Sequence, residues 1–106
     1  MKKTIKNLID EVKQGLGSLY GRRLRGVYLF GSYARGEEDQ ESDLDVLIVL
    51  DGLDRYGAEL DRTGELISGL SLKYNVSISR VFVSERDWKE QKSAFLINVR
   101  EEAVAA

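Results

Sequence analysis

Asp43 and Asp45 stand one residue apart at the head of an apolar run, DLDVLIVL, over 43–50. Strand residues i and i+2 share a face, roughly 7 Å apart along the chain. Two carboxylates placed that way repel each other and make ionising both costly. A divalent cation between them relieves the repulsion, and hard cations take oxygen ligands. Upstream, Gly31-Ser32 ends a second short apolar run, VYLF. Glycine lets a backbone approach a ligand closely. A helix beginning just after it offers free N–H groups to a phosphate, and the Ser32 hydroxyl adds a hydrogen bond. Arg35 falls one turn later, within reach of the same anion. The combined chemistry is an Mg²⁺–triphosphate grip, with a phosphate cradle on one strand end and metal ligands on its neighbour. Metal ions in such a site can clamp the attacking and leaving oxygens of a phosphoryl displacement.

Each half also has a plain structural reading. A lone D-x-D pair is commonly a set of exposed or capping carboxylates. A lone Gly-Ser is commonly a strand-to-helix turn with Ser32 as N-cap. It is the two halves in succession that point to phosphate chemistry.

The composition narrows the chemistry further. The 106 residues contain no cysteine and no histidine, which excludes disulfides, thiolate metal sites and the usual zinc ligands. A metal site must then use oxygen ligands, which suits Mg²⁺, Mn²⁺ or Ca²⁺. The net charge is −2, from 16 basic and 18 acidic residues, so nothing suggests a strongly basic nucleic-acid binder. The local cluster GRRLRG at 21–26 reads as a solvated edge. No apolar run approaches the roughly 20 residues of a membrane span. The opening residues lack the apolar stretch of a signal peptide, and a cytoplasmic protein is the simplest expectation. The length suits one domain over 1–106, large enough for one core.

The elements that must position these residues are legible in the periodicity. Ile5, Leu8, Ile9, Val12, Leu16 and Leu19 recur at helical spacing, predicting a helix over 3–20. Val27–Phe30 reads as a short buried strand, followed by a turn at 33–36 and a polar loop, EEDQES. Over 43–50, one strand face carries Asp43, Asp45, Leu47 and Val49, and the other Leu44, Val46, Ile48 and Leu50. Leu53, Tyr56, Leu60, Thr63, Ile67, Leu70 and Tyr74 predict a helix starting after 53–56 and ending near Asn75. VSISRVFV at 76–83 reads as a third strand. Ser84 and Asp87 have capping-box spacing and predict a helical turn through Trp88. A last helix is expected over 93–103, and the tail Ala103–Ala106 either frays or packs on another subunit. Trp88 and Phe95 read as core or partner-facing aromatics, and Tyr20, Tyr28, Tyr56 and Tyr74 as packed ones. The fold class is α/β: a three- or four-stranded mixed sheet with helices mainly on one face, the opposite face being open to a partner.

GSYARG followed by ESDLDVLIVL resembles the nucleotidyltransferase signature of the DNA polymerase beta-like superfamily, and more narrowly its minimal prokaryotic members. Gly31, Ser32, Ala34, Arg35, Gly36, Ser42, Asp43 and Asp45 carry the match. The resemblance covers nearly the whole chain, including a terminal helix, SAFLINVREEAVAA, with an aromatic, an Asn and a Glu-containing turn. It implies a polymerase beta-like palm fold. It implies that Gly31 and Ser32 hold the β- and γ-phosphates of a nucleoside triphosphate, that Arg35 steadies them, and that Asp43 and Asp45 ligate Mg²⁺. It implies transfer of a nucleoside monophosphate, AMP from ATP, to a hydroxyl with release of pyrophosphate. It also implies a partner, since many short members sit beside a helical HEPN-type protein. They act as its antitoxin, some by adenylylating one of its tyrosines.

One departure from the pattern matters. Active members carry a third carboxylate on the next core strand, proposed as general base. In VSISRVFV no acid is present. Ser77 and Ser79 share the relevant face, with Arg80 on the other, and a serine is no base at neutral pH. Glu85 and Asp87 read as helix-start residues, and Glu37, Glu38, Asp39 and Glu41 as loop carboxylates. Three hypotheses follow. The chain is a nucleotidyltransferase acting on a protein hydroxyl, a catalytically weak module of that fold that neutralises a partner by contact, or an unrelated α/β domain with a structural DLD.

Overall fold

The apolar stripe of the N-terminal segment forms helix α1, Lys3–Tyr20, in a computed structural model that describes residues 2–106. It buries Leu8, Ile9, Val12, Leu16 and Tyr20. The stripe continues at i+4 to Tyr20, and Leu19, expected inside, is 43% exposed. A 3-10 turn, Gly21–Arg23, leads into strand β1, Leu24–Phe30. That strand starts three residues before the apolar run. Pairing of Leu24 with Leu50 recruits them, while Arg25 stays exposed, as a solvated edge should.

Strand β2, Leu44–Leu50, runs antiparallel to β1. Helix α3, Tyr56–Tyr74, then crosses over to strand β3, Ile78–Ser84, which lies parallel to β2. Asn75 ends α3 with φ 54°, a left-handed cap that asparagine tolerates. Ser84 caps helix α4, Glu85–Glu90, by accepting from the Asp87 amide at 3.1 Å. Helix α5 covers Ala94–Glu102. The tail does not fray: Val104–Ala105 forms strand β4 against β1, and the Ala106 amide donates to the Val27 carbonyl at 2.9 Å. The sheet order is β3-β2-β1-β4.

The two faces of β2 divide as its alternation requires. Leu44, Val46, Ile48 and Leu50 pack with α1 and α3, while Leu47 and Val49 pack with Trp88, Leu96 and Val99 of α4 and α5. Helices therefore cover both faces, two long ones on one side and two short ones on the other. The expectation of an open second face fails because segments as short as α4 and α5 carry too little periodic signal to reveal a buried side. Trp88 is core, while Phe95 is 46% exposed and edge-on to Phe30. Tyr56, also expected to be packed, is 40% exposed, although it meets Phe82 edge-on. Leu44, Leu47, Ile48 and Leu50 are fully buried, each stabilising by about 1.5–3 kcal/mol over exposure. That packing makes β2 a rigid support for whatever its first residues carry. No helix among the described residues is long and apolar enough to cross a membrane.

Candidate functional site

The end of β1 and the start of β2 meet because Phe30 pairs with Asp45 in the antiparallel register. Gly31 then reverses the chain with φ 73°, and a Cβ there would stand 2.2 Å from Asp45 Oδ2. Only glycine permits this turn and the carboxylate lying over it. Helix α2, Gly31–Arg35, follows and ends at Gly36, φ 71°. Because the turn begins at Gly31, Phe30 takes the N-cap position and Ser32 is the second helical residue. Ser32 is therefore not the N-cap, and the helix does not wait until residue 33.

Asp43 is exposed just before β2, which starts at Leu44 rather than 43. Asp45 is half-buried. Burial raises its carboxyl above the ordinary range, and the neighbouring Asp43 charge pushes the same way. Arg35 opposes the shift, as does a hydrogen bond with Ser79. Ser79 aligns with Asp45 across the parallel β2–β3 pair. The place expected for a third acid thus holds a hydroxyl. Arg80 faces the other way, donating to Thr63 Oγ1 at 2.7 Å and to the Leu60 carbonyl at 2.9 Å. Glu85 and Asp87 sit in the first turn of α4, as helix-start residues.

A further carboxylate enters from the far end of the chain. Glu102, the last residue of α5, accepts from the Gly31 amide through Oε1 at 3.0 Å. It accepts from Arg35 Nη1 through Oε2, also at 3.0 Å. The Gly31 amide, then the Arg35 guanidinium, hold its carboxyl below the usual range. Arg35 also pairs with Glu37 through Nε. The sequence carries a Glu-containing terminal turn but no local signal that places it, because the contact spans 71 positions.

The structure thus brings Gly31, Arg35, Asp45, Ser79 and Glu102 together, with Asp43 close enough for Asp45 to feel its charge. Among the described residues no three carboxylates converge as a self-sufficient metal cage. An Mg²⁺ ion does not require one, since it is usually held by one or two carboxylates plus substrate phosphates. Asp43 and Asp45 supply carboxylate oxygens of like charge side by side, so the donor set fits Mg²⁺ in oxygen type and in charge.

The nucleotidyltransferase domain family model matches residues 9–103. The chain belongs to this family. Two relatives from Methanocaldococcus jannaschii, both named "putative protein adenylyltransferase", agree. One is 39% identical over 95 residues, covering 89% of each chain. The other is 36% identical over 92 residues, covering 87% of this chain and 88% of the other. The nucleotidyltransferase fold is also that of a "putative nucleotidyltransferase" from Sulfolobus solfataricus. That structure superposes with a TM-score of 0.62 at 21% identity, over 99% of this chain and 86% of that one. A crystal structure of a toxin–antitoxin with AMP-PNP gives 0.62 at 20% identity, over 91% of this chain and 69% of that one. The resemblance read from GSYARG and ESDLDVLIVL is borne out at the level of family and fold.

Proposed function

We propose that this nucleotidyltransferase-family chain transfers AMP from ATP to a hydroxyl on a partner protein, in the cytoplasm, as an antitoxin. The observation that supports it most is the seat at Gly31, where a glycine turn, Arg35 and Asp45 meet at the end of β1 and the start of β2. The Gly31 amide, the Ser32 hydroxyl and Arg35 would bind the triphosphate. Asp43 and Asp45 would hold Mg²⁺, which when bound neutralises phosphate charge and favours departure of pyrophosphate. The buried side of β2 fixes the backbone that carries Asp45, with Asp43 just before it, so that half of the grip is pre-organised. A HEPN-type helical protein is the partner suggested by the resemblance, and toxin–antitoxin structures stand among the neighbours of this fold.

Ser79 favours a second reading. A hydroxyl beside Asp45 cannot accept the acceptor's proton at neutral pH, so transfer is slow or lost and the chain neutralises its partner by contact. Labelled ATP, Mg²⁺ and the product of the neighbouring gene separate the two. The transfer reading expects label on the partner, lost with Asp43→Ala plus Asp45→Ala. An unlabelled partner that the double variant still neutralises would overturn transfer and leave contact.

A further inference from the structure

Glu102 occupies the donors that the proposed function gives to the triphosphate. Its two oxygens take the Gly31 amide and the Arg35 guanidinium at 3.0 Å each, a two-pronged anion contact of the kind a phosphate edge makes. Arg35 is further engaged by Glu37. The same carboxylate adds its charge to the field at Asp45. An incoming triphosphate would therefore meet occupied donors and an extra negative charge.

The side chain is placed to leave. Glu102 is the last residue of α5, and its side chain is 29% exposed. Beyond it, β4 has two paired positions on β1, and Val104 and Ala105 are exposed. Rotation about the side-chain bonds of Glu102 frees both donors without moving the helix.

We infer that Glu102 is an internal anion that closes the phosphate seat until nucleotide displaces it. The inference rests on the proposed triphosphate site and adds its regulation. The seat is self-blocked at rest, and ligands that carry more charge than one carboxylate open it. The alternative is that Glu102 only orients Gly31 and Arg35 for the ligand, and the two predict opposite signs.

The test is calorimetric titration of Mg·ATP, and separately of inorganic tripolyphosphate with Mg²⁺, into wild type, Glu102→Gln and Glu102→Ala. Thermal unfolding establishes that each variant is folded, and the isosteric Gln covers the case in which Ala is not. A displaced internal anion predicts binding about three- to ten-fold tighter in the variants. It also predicts that the Gly31 amide resonances of the wild type and the variants, distinct without ligand, converge when each is saturated with Mg·ATP. Equal or weaker binding in Glu102→Gln overturns the inference while leaving the triphosphate site intact. Absence of binding in all three proteins overturns both.

Discussion

At one end of β2, Asp51, Asp54 and Glu59 face Arg23, Arg55 and Arg62 around a cavity of about 580 Å³. At the other end, Asp45, Glu37 and Glu102 share Arg35 as their cation, with the Asp43 charge beside Asp45. The first cluster is balanced. Burial alone would raise the Glu59 carboxyl, yet hydrogen bonds from Tyr20 and Arg62 bring it below the ordinary range. Tyr20 donates to it at 2.8 Å and Arg62 at 3.0 Å, and burial with that contact pushes the Tyr20 hydroxyl up. In the second cluster burial, then the Asp43 charge, outweigh Arg35 and Ser79, and Asp45 goes up instead. The cavity-lining cluster is thus a finished structural network, and the seat at Gly31 is the one whose charge calls for a ligand. Unsatisfied charge, rather than cavity size, marks the candidate site.

The sharpest break in this comparison is Gly31→Ala. An alanine must adopt φ 73° and place its Cβ on Asp45, so destabilisation of about 3 kcal/mol is expected in urea unfolding, together with loss of Mg·ATP binding. Glu59→Ala acts at the balanced end. It leaves the buried Tyr20 hydroxyl without its acceptor, and about 2 kcal/mol of stability should go, while Mg·ATP affinity stays unchanged. If Glu59→Ala weakened nucleotide binding, the two ends would not be separate.

A smaller effect of opposite sign distinguishes the carboxylates. The folded pKa of Glu59 is lowered, so its stabilisation is present above the ordinary value of about 4.3 and is lost as pH falls through the folded value. The folded pKa of Asp45 is raised, so the protein is relieved of its charge below about 3.9 and loses stability as pH rises through the folded value. Without metal, Asp45→Asn should therefore raise the unfolding midpoint modestly at pH 7, and the difference should vanish on acidification. Thermal scans from pH 3 to 7 measure it. A midpoint lowered at pH 7 would show that Asp45 is stabilising and the cluster balanced after all.

Much of the scaffold was legible because its signals are local. The bounds of α1 and α3, the two faces of β2 and the Ser84 cap follow from spacing and capping chemistry within one element. So did the approach of Gly31-Ser32 to the aspartates, since adjacent strands and a short loop leave few alternatives. What escaped was non-local. Glu102 reaches Gly31 across most of the chain, and Glu59 looks like an exposed helical acid until Tyr20 is folded onto it. Strand β4 is too short to have a period and exists only because β1 offers an edge. The absence of a third acid on β3 was visible, and the parallel register that sets Ser79 beside Asp45 was not.

The most direct measurement is calorimetry of ATP binding with and without Mg²⁺, on the wild type and on the Asp43→Ala, Asp45→Ala double variant. The account predicts Mg²⁺-dependent binding to the wild type that falls by at least about ten-fold, some 1.4 kcal/mol, in the variant. Binding that is the same in both proteins, or indifferent to Mg²⁺, would contradict it.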